Sequence, residues 1–223
     1  MKYMNGYWDL FILTFPYTMN KLTYTLLKDE ANREIKVSKD IAIVTTLQDG
    51  NHILLQQLTN NNIFFYQTTN EELINTINKI NKEFVLIITS PAIIVNDLTD
   101  YFISMFELVS SDFIFGGTTK NPLGINYLGS EELHCGVHQY LDSSVMFGTT
   151  NDVKKYFSKY NYNKDSKLVS DVATLITNYD SVREHIDTDG AMFQCVDFEE
   201  TQIKENGNNR YIETINNGER RLF

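Results

Sequence analysis

The sequence predicts an α/β fold in which one mixed, mainly parallel sheet is flanked by helices, and three observations carry that prediction. Residues Phe84 to Val95 read Phe-Val-Leu-Ile-Ile-Thr-Ser-Pro-Ala-Ile-Ile-Val, a short run of apolar, mostly β-branched side chains entered from Lys82-Glu83 and broken at Ser90-Pro91. Such a run fits a strand buried on both faces, the centre of a parallel sheet, better than a helix. On either side of it, stretches of strand and helix period alternate, the order that builds βαβ units. Finally, 223 residues at 42% hydrophobic are enough for one sizeable core, with no apolar-poor stretch that would mark a disordered domain. Residues 1–223 therefore read as one domain.

In chain order, Leu10 to Phe15 reads as a first buried strand. A helix follows from Met19 to Asp29, with Met19, Leu22 and Leu26 on one face. Ile35 to Thr45 reads as a second strand, and Asp49-Gly50 and Asn60-Asn61-Asn62 as turns. Ile63 to Tyr66 is a short strand, and Thr69 caps a helix whose first turn holds Glu71 and Glu72 and whose buried face is Leu73, Ile77 and Ile80. Beyond the central run, Asn96 is the expected cap of a helix through Tyr101, Phe102, Met105 and Phe106. Ser111 to Phe115 returns as a strand ending at Gly116-Gly117. Thr118 to Glu132 is the longest irregular stretch and the expected ligand-facing loop.

Leu141 to Gly148 reads as a strand with a tight turn. Helices are expected to start at Asn151 (through Val153, Tyr156 and Phe157) and at Ser166 (through Val169, Val172, Leu175 and Ile176). Ala191 to Phe198 is a last core strand. Residues 199–223 form a hairpin about Asn206-Gly207 and a tail, Arg220-Arg221-Leu222-Phe223, expected to fray.

The balance of 19 basic against 29 acidic residues, a formal charge of −10 with no basic cluster, argues against a nucleic-acid partner. Leu10 to Phe15 is short, follows Asp9 and lacks a basic leader, so it reads as a strand rather than a signal peptide. No run approaches the roughly 20 apolar residues that span a bilayer. Two cysteines, Cys135 and Cys195, do not make a disulfide framework, and their pairing is left open. No Asn-X-Ser/Thr acceptor occurs, which suits a chain outside a glycosylating pathway.

Candidate chemistry is sparse. His134 and His138 have the spacing of two metal ligands on one helix face, but Gly136 between them disfavours a helix and the Glu of a His-Glu-X-X-His hydrolase is absent, so they read as loop histidines. His138 with Asp142, Ser143 and Ser144 lacks the Gly-X-Ser-X-Gly elbow of an acyl-transfer triad. Trp8 reads as packing rather than a stacking platform. In an open α/β sheet ligands gather outside the carboxyl ends of the strands, which here means Thr89 to Ile94, a stretch without an ionisable side chain.

The element order, read with Leu141-Asp142-Ser143-Ser144-Val145-Met146-Phe147-Gly148 and with Ile186-Asp187 four residues ahead of Met192-Phe193-Gln194, resembles the glycosyltransferase domain of the procollagen lysyl hydroxylase family. The family's corresponding blocks look like Leu-Asn-Ser-Gly-Gly-Phe-Ile-Gly and Leu-Asp followed by Ile-Phe-Gln. The likeness runs from Leu10 to about Tyr211. It implies the GT-A fold, a Rossmann-like sandwich that binds a UDP-sugar at the strand ends, with Mn²⁺ on the diphosphate. Where the family has Asp-Ser-Tyr-Asp after its central strand, this chain has Ser90-Pro91-Ala92-Ile93, so neither carboxylate ligand carries over.

The family's Gly-Gly-Gly-Gln-Lys segment falls near Tyr66 to Asn70 without its glycines or lysine, and its closing His-Gly-Asn-Gly would lie beyond Arg220. Its Asp-Asp-Gln corresponds to Val169-Ser170-Asp171, of which Asp171 survives. A metal on the diphosphate supplies several kcal/mol, and about 1.4 kcal/mol is tenfold in rate. Arg or Lys can stand in for metal in some transferases, and Lys120, Arg220 and Arg221 are the candidates.

The resulting expectation is a GT-A-like domain with an eroded donor site at Thr89, Ser90 and Ile93, holding no metal or cofactor and working as a binding, scaffold or structural protein. It implies a protein partner or self-association, and an apolar surface at Ile93 and Ile94 where a donor pocket would be. The bias to Asn, Ile and Lys suits an AT-rich genome such as that of a large DNA virus, so the expected location is cytoplasmic or virion-associated. The competing expectation is an active UDP-sugar-dependent transferase, with or without Mn²⁺, in which Asp142, Ser143 and Asp171 stand nearest the sugar.

Overall fold

The computed structural model describes residues 12–14, 32–50, 52–110, 112–118, 140–159, 185–187, 192–195, 201–206, 209–216 and 219–222, and at 13–14, 118, 140–143, 159, 194–195 and 201–222 it describes the backbone alone. The expected helices at 19–29 and from Ser166, the loop 118–132 beyond Thr118, the His134/His138 pair, Cys135, Trp8, Lys120 and Asp171 lie outside the described residues.

Five strands make the central sheet: β2 (Ile41–Thr45), β3 (Phe65–Gln67), β4 (Phe84–Ile88), β6 (Phe113–Thr118) and β7 (Tyr140–Thr149), in the order β3-β2-β4-β7-β6. β2 runs parallel to both β3 and β4, while β7 is antiparallel to both β4 and β6. Four strands thus share one direction and the sheet is mixed, mainly parallel, as expected. β4 is its middle strand, and residues 84–88 are buried throughout.

Period-two alternation sends successive side chains of these strands to opposite faces. Ile41, Ile43, Phe84, Leu86 and Ile88 pack with helices α1 (Ile53–Asn60) and α3 (Asp100–Val109), through Leu54, Leu58, Phe102 and Phe106. Ala42, Val44, Val85 and Ile87 pack on the other face with α2 (Leu73–Asn78) and α4 (Thr150–Lys159), through Leu73, Ile77, Val153 and Phe157. The described residues therefore form a helix–sheet–helix sandwich. At the centre of the first face the Phe147 ring lies 4.6 Å from Phe102 and 4.9 Å from Phe106 in edge-on contacts, and stacks on Phe84 at 5.6 Å.

Several expectations need correction. The apolar run from Phe84 is not one strand: after Ser90-Pro91 it re-forms as β5 (Ala92–Ile94) in a different sheet, order β5-β1-β8, with β1 (Ile12–Thr14) and β8 (Phe193–Cys195). Proline has no N–H to continue a ladder, and the chain turns away there. β1 consequently opens this second sheet, antiparallel to β5 and parallel to β8, and is no part of the central one.

α1 was not expected. The helix after the central run starts after Thr99 rather than Asn96, because residues 97–98 are engaged as extended chain: Lys36 N–H donates to Asp97 Oδ1 at 3.0 Å, and Leu98 exchanges backbone bonds with Lys36 and Ser38. The helix expected to start at Thr69 starts instead at Leu73, after Glu72, and the Thr69 hydroxyl accepts the Glu72 amide at 3.3 Å in the turn before it. β9 (Thr201–Asn206), β10 (Asn209–Asn216) and β11 (Glu219–Leu222) form an antiparallel meander, with Asn206 opposite Asn209.

Two local features set stability. At Gly148 in β7 a Cβ would stand 2.5 Å from Phe113 Cβ and 2.6 Å from the Asp112 carbonyl oxygen, so β6 and β7 meet where only hydrogen fits. Gly148→Ala is expected to cost about 2 kcal/mol in urea unfolding, as overpacking against backbone does. A loss under about 0.5 kcal/mol would mean that the strands part easily there.

α4 starts with a side-chain cap: the Thr149 hydroxyl accepts the Asp152 amide at 3.2 Å and donates to Asp152 Oδ2 at 2.5 Å. Lys155, at 2.7 Å, and then Thr149 hold the Asp152 carboxyl below its ordinary range. A lowered folded pKa gives stabilisation that is complete above the unfolded value of about 3.9 and lost as pH falls through the folded one. Thr149→Ala should therefore cost about 1 kcal/mol at pH 7. In urea titrations that difference should narrow below about pH 3.9. Widening in acid would refute the assignment.

Candidate functional site

The topology itself marks a site. From β2 the chain crosses through α1 on one face to β3, then returns through α2 on the opposite face to β4 on the far side of β2. Strand order therefore reverses between β2 and β4, and the crevice outside their carboxyl ends is where open α/β sheets take ligands. The residues there are Thr45 to Gly50 after β2, Gln67 to Thr69 after β3, and Thr89-Ser90 after β4.

Apart from the Asp49 carboxylate, the groups around this edge are hydroxyls and carboxamides, and they bond mainly to the protein's own backbone. Gln48 Nε2 donates to the Thr68 carbonyl at 2.6 Å, and Gln67 Nε2 donates to the Leu47 carbonyl at 2.7 Å. Thr45 Oγ1 accepts the Leu47 amide at 3.2 Å, and Thr76 Oγ1 donates to Thr68 Oγ1 at 2.9 Å. The loops after β2 and β3 are thus laced together by neutral side chains. Sequence reasoning took Asp49-Gly50 as a plain turn and missed this network. The signal was there in Ile53, Leu54 and Leu58, whose spacing makes a helical face and would have turned residues 46–52 into a strand-to-helix loop.

β7 supplies the neighbouring wall. Phe115 pairs with Met146, but the next residue, Gly116, pairs with Asp142, so Ser143, Ser144 and Val145 have no counterparts in β6. These residues bulge toward β4. Val145 stands opposite Ile88, and the Thr89 amide donates to the Ser144 carbonyl at 2.8 Å. The structure therefore brings near each other the two halves that the sequence singled out separately: Thr89 and Ser90 at the end of β4, and on β7 Ser143 in the bulge with Asp142 paired just beyond it. Bulges of this kind re-aim a strand next to functional sites.

Thr89, Ser90 and Ile93 are 7%, 3% and 0% exposed. Ile93 and Ile94 lie inside the second sheet, opposite Leu13 and Ile12, and this overturns the expectation of an apolar surface at that point. Ile94 is also tied to α1. The buried Gln57 carboxamide accepts the Ile94 N–H at 2.9 Å and donates to the Ile94 carbonyl at 2.8 Å, filling the place of a neighbouring strand.

Asp187, 3% exposed, closes the far side of this region. Its Oδ2 accepts the amides of Met192 and Phe193 at 2.7 and 2.8 Å, and its own N–H donates to the Phe115 carbonyl at 2.9 Å. One carboxylate thus fastens the start of β8 beside the carboxyl half of β6. Next to it the His185 ring stacks on Phe113 at 4.1 Å, with Nδ1 3.0 Å from the Phe113 carbonyl oxygen. The Ile186-Asp187…Met192-Phe193 spacing, noted only as a resemblance, has a structural role here.

Residues 89–94 do not by themselves fit a divalent cation. A hard ion needs several oxygen ligands, carboxylates foremost, and residues 89–94 offer two hydroxyls in a dry interior followed by alkyl groups. Among the described residues no three His, Cys, Asp or Glu side chains gather as a metal-ligating group. Among them, too, no helix is long and apolar enough to cross a membrane. No protein-family model matches the chain, and no curated protein matches its sequence.

Proposed function

We propose that this chain is a glycosyltransferase-like α/β domain of GT-A type that has lost metal-dependent sugar transfer and serves as a binding, scaffold or structural protein. One observation carries the reading. The peptide after the central strand, where the resembling family places two carboxylates on Mn²⁺, is here buried from Thr89 to Ile94 and committed to packing against β1 and α1. A UDP diphosphate would meet no paired anionic oxygens to share a cation with, and charge on a leaving group would go without that stabilisation. Function follows such sites rather than the fold that carries them. The role left is recognition of a protein partner or of a second copy, in the cytoplasm or in a virus particle, the latter because a bias to Asn, Ile and Lys suits an AT-rich viral genome.

A second reading, an active UDP-sugar transferase built on Asp142, Ser143 and Asp171, draws support from the bulge whose Ser144 carbonyl takes the Thr89 amide, one residue from Ser143 and two from Asp142. Titration with UDP and UDP-sugars, with and without Mn²⁺, separates the two. The first reading expects no thermal shift, or millimolar affinity indifferent to metal. A Mn²⁺-dependent micromolar signal would overturn it, and at a hundredfold excess over Kd it would register as about 2.7 kcal/mol of added stability.

A further inference from the structure

We draw no further inference here: the strongest candidate, the exposed apolar strip along α3 that includes Tyr101 and Leu108, carries nothing because nothing in the structure shows what covers it.

Discussion

Asp187→Ala is expected to lower stability by about 3–5 kcal/mol, the largest loss among the substitutions considered, because it removes the acceptor of two buried backbone donors at once. Each N–H left unpaired in a dry interior costs about 1–3 kcal/mol. The amides of Met192 and Phe193 both depend on Oδ2, and the two side chains are 0% exposed. The damage should stay concentrated at β8 and the end of β6, since the Asp187 main chain also bonds to Phe115. Asp187→Asn is the control. Its remaining carbonyl oxygen can still take both amides, so it should keep more than half of the lost stability. Urea unfolding of the three proteins, with amide exchange at Met192 and Phe193, tests this directly. If the alanine variant lost less than about 1 kcal/mol, the carboxylate would not be what holds β8 in place.

Gln57→Leu is expected to cost about 2–5 kcal/mol by the same reasoning applied to a neutral group. Leucine has one heavy atom fewer and branches at Cγ instead of Cδ, so lost packing is the smaller part of the cost. What is lost is a partner for both the N–H and the carbonyl of Ile94, a residue with no exposed surface. Gln57→Glu makes a sharper test. It retains an acceptor for the N–H, leaves the carbonyl without a donor and places a charge in the core, so at neutral pH it should be no better than leucine. A glutamate variant as stable as the parent would show that water reaches the α1–β5 contact. Faster exchange of the Ile94 amide in both variants is the local signature.

These two side chains also explain where sequence reasoning reached and where it stopped. Strands β2, β4, β6 and β7 and helices α2 and α4 were legible because each has a run or stripe of apolar side chains whose period matches its geometry. α1 was missed although Ile53, Leu54 and Leu58 mark a helical face, because Gln57 puts a polar group among them. That makes sense only once Ile94 is known to lie alongside it. β5 and β1 likewise carry no local mark of the sheet they join, since pairing Ile12 with Ile94 is a long-range choice. The start of α3 was misplaced because Asp97 and Leu98, apt for a first turn, are taken by residues 36–38.

For the candidate site, sequence order identified Thr89-Ser90 and Asp142-Ser143, and the antiparallel register of β4 with β7 makes them neighbours. The strip of amides at Gln48 and Gln67 was out of reach, because its bonds run between loops some twenty residues apart.

The turn at Ser90-Pro91 has a consequence for ancestry. If the chain descends from a metal-binding transferase, its present interior bars the way back: an aspartate restored at Ser90 or Ile93 would be an uncompensated anion in a sealed space, several kcal/mol uphill before any cation could reward it. Room for it would open only if β5 came away from Gln57 and β1, so the packing that shapes this edge also limits its chemistry.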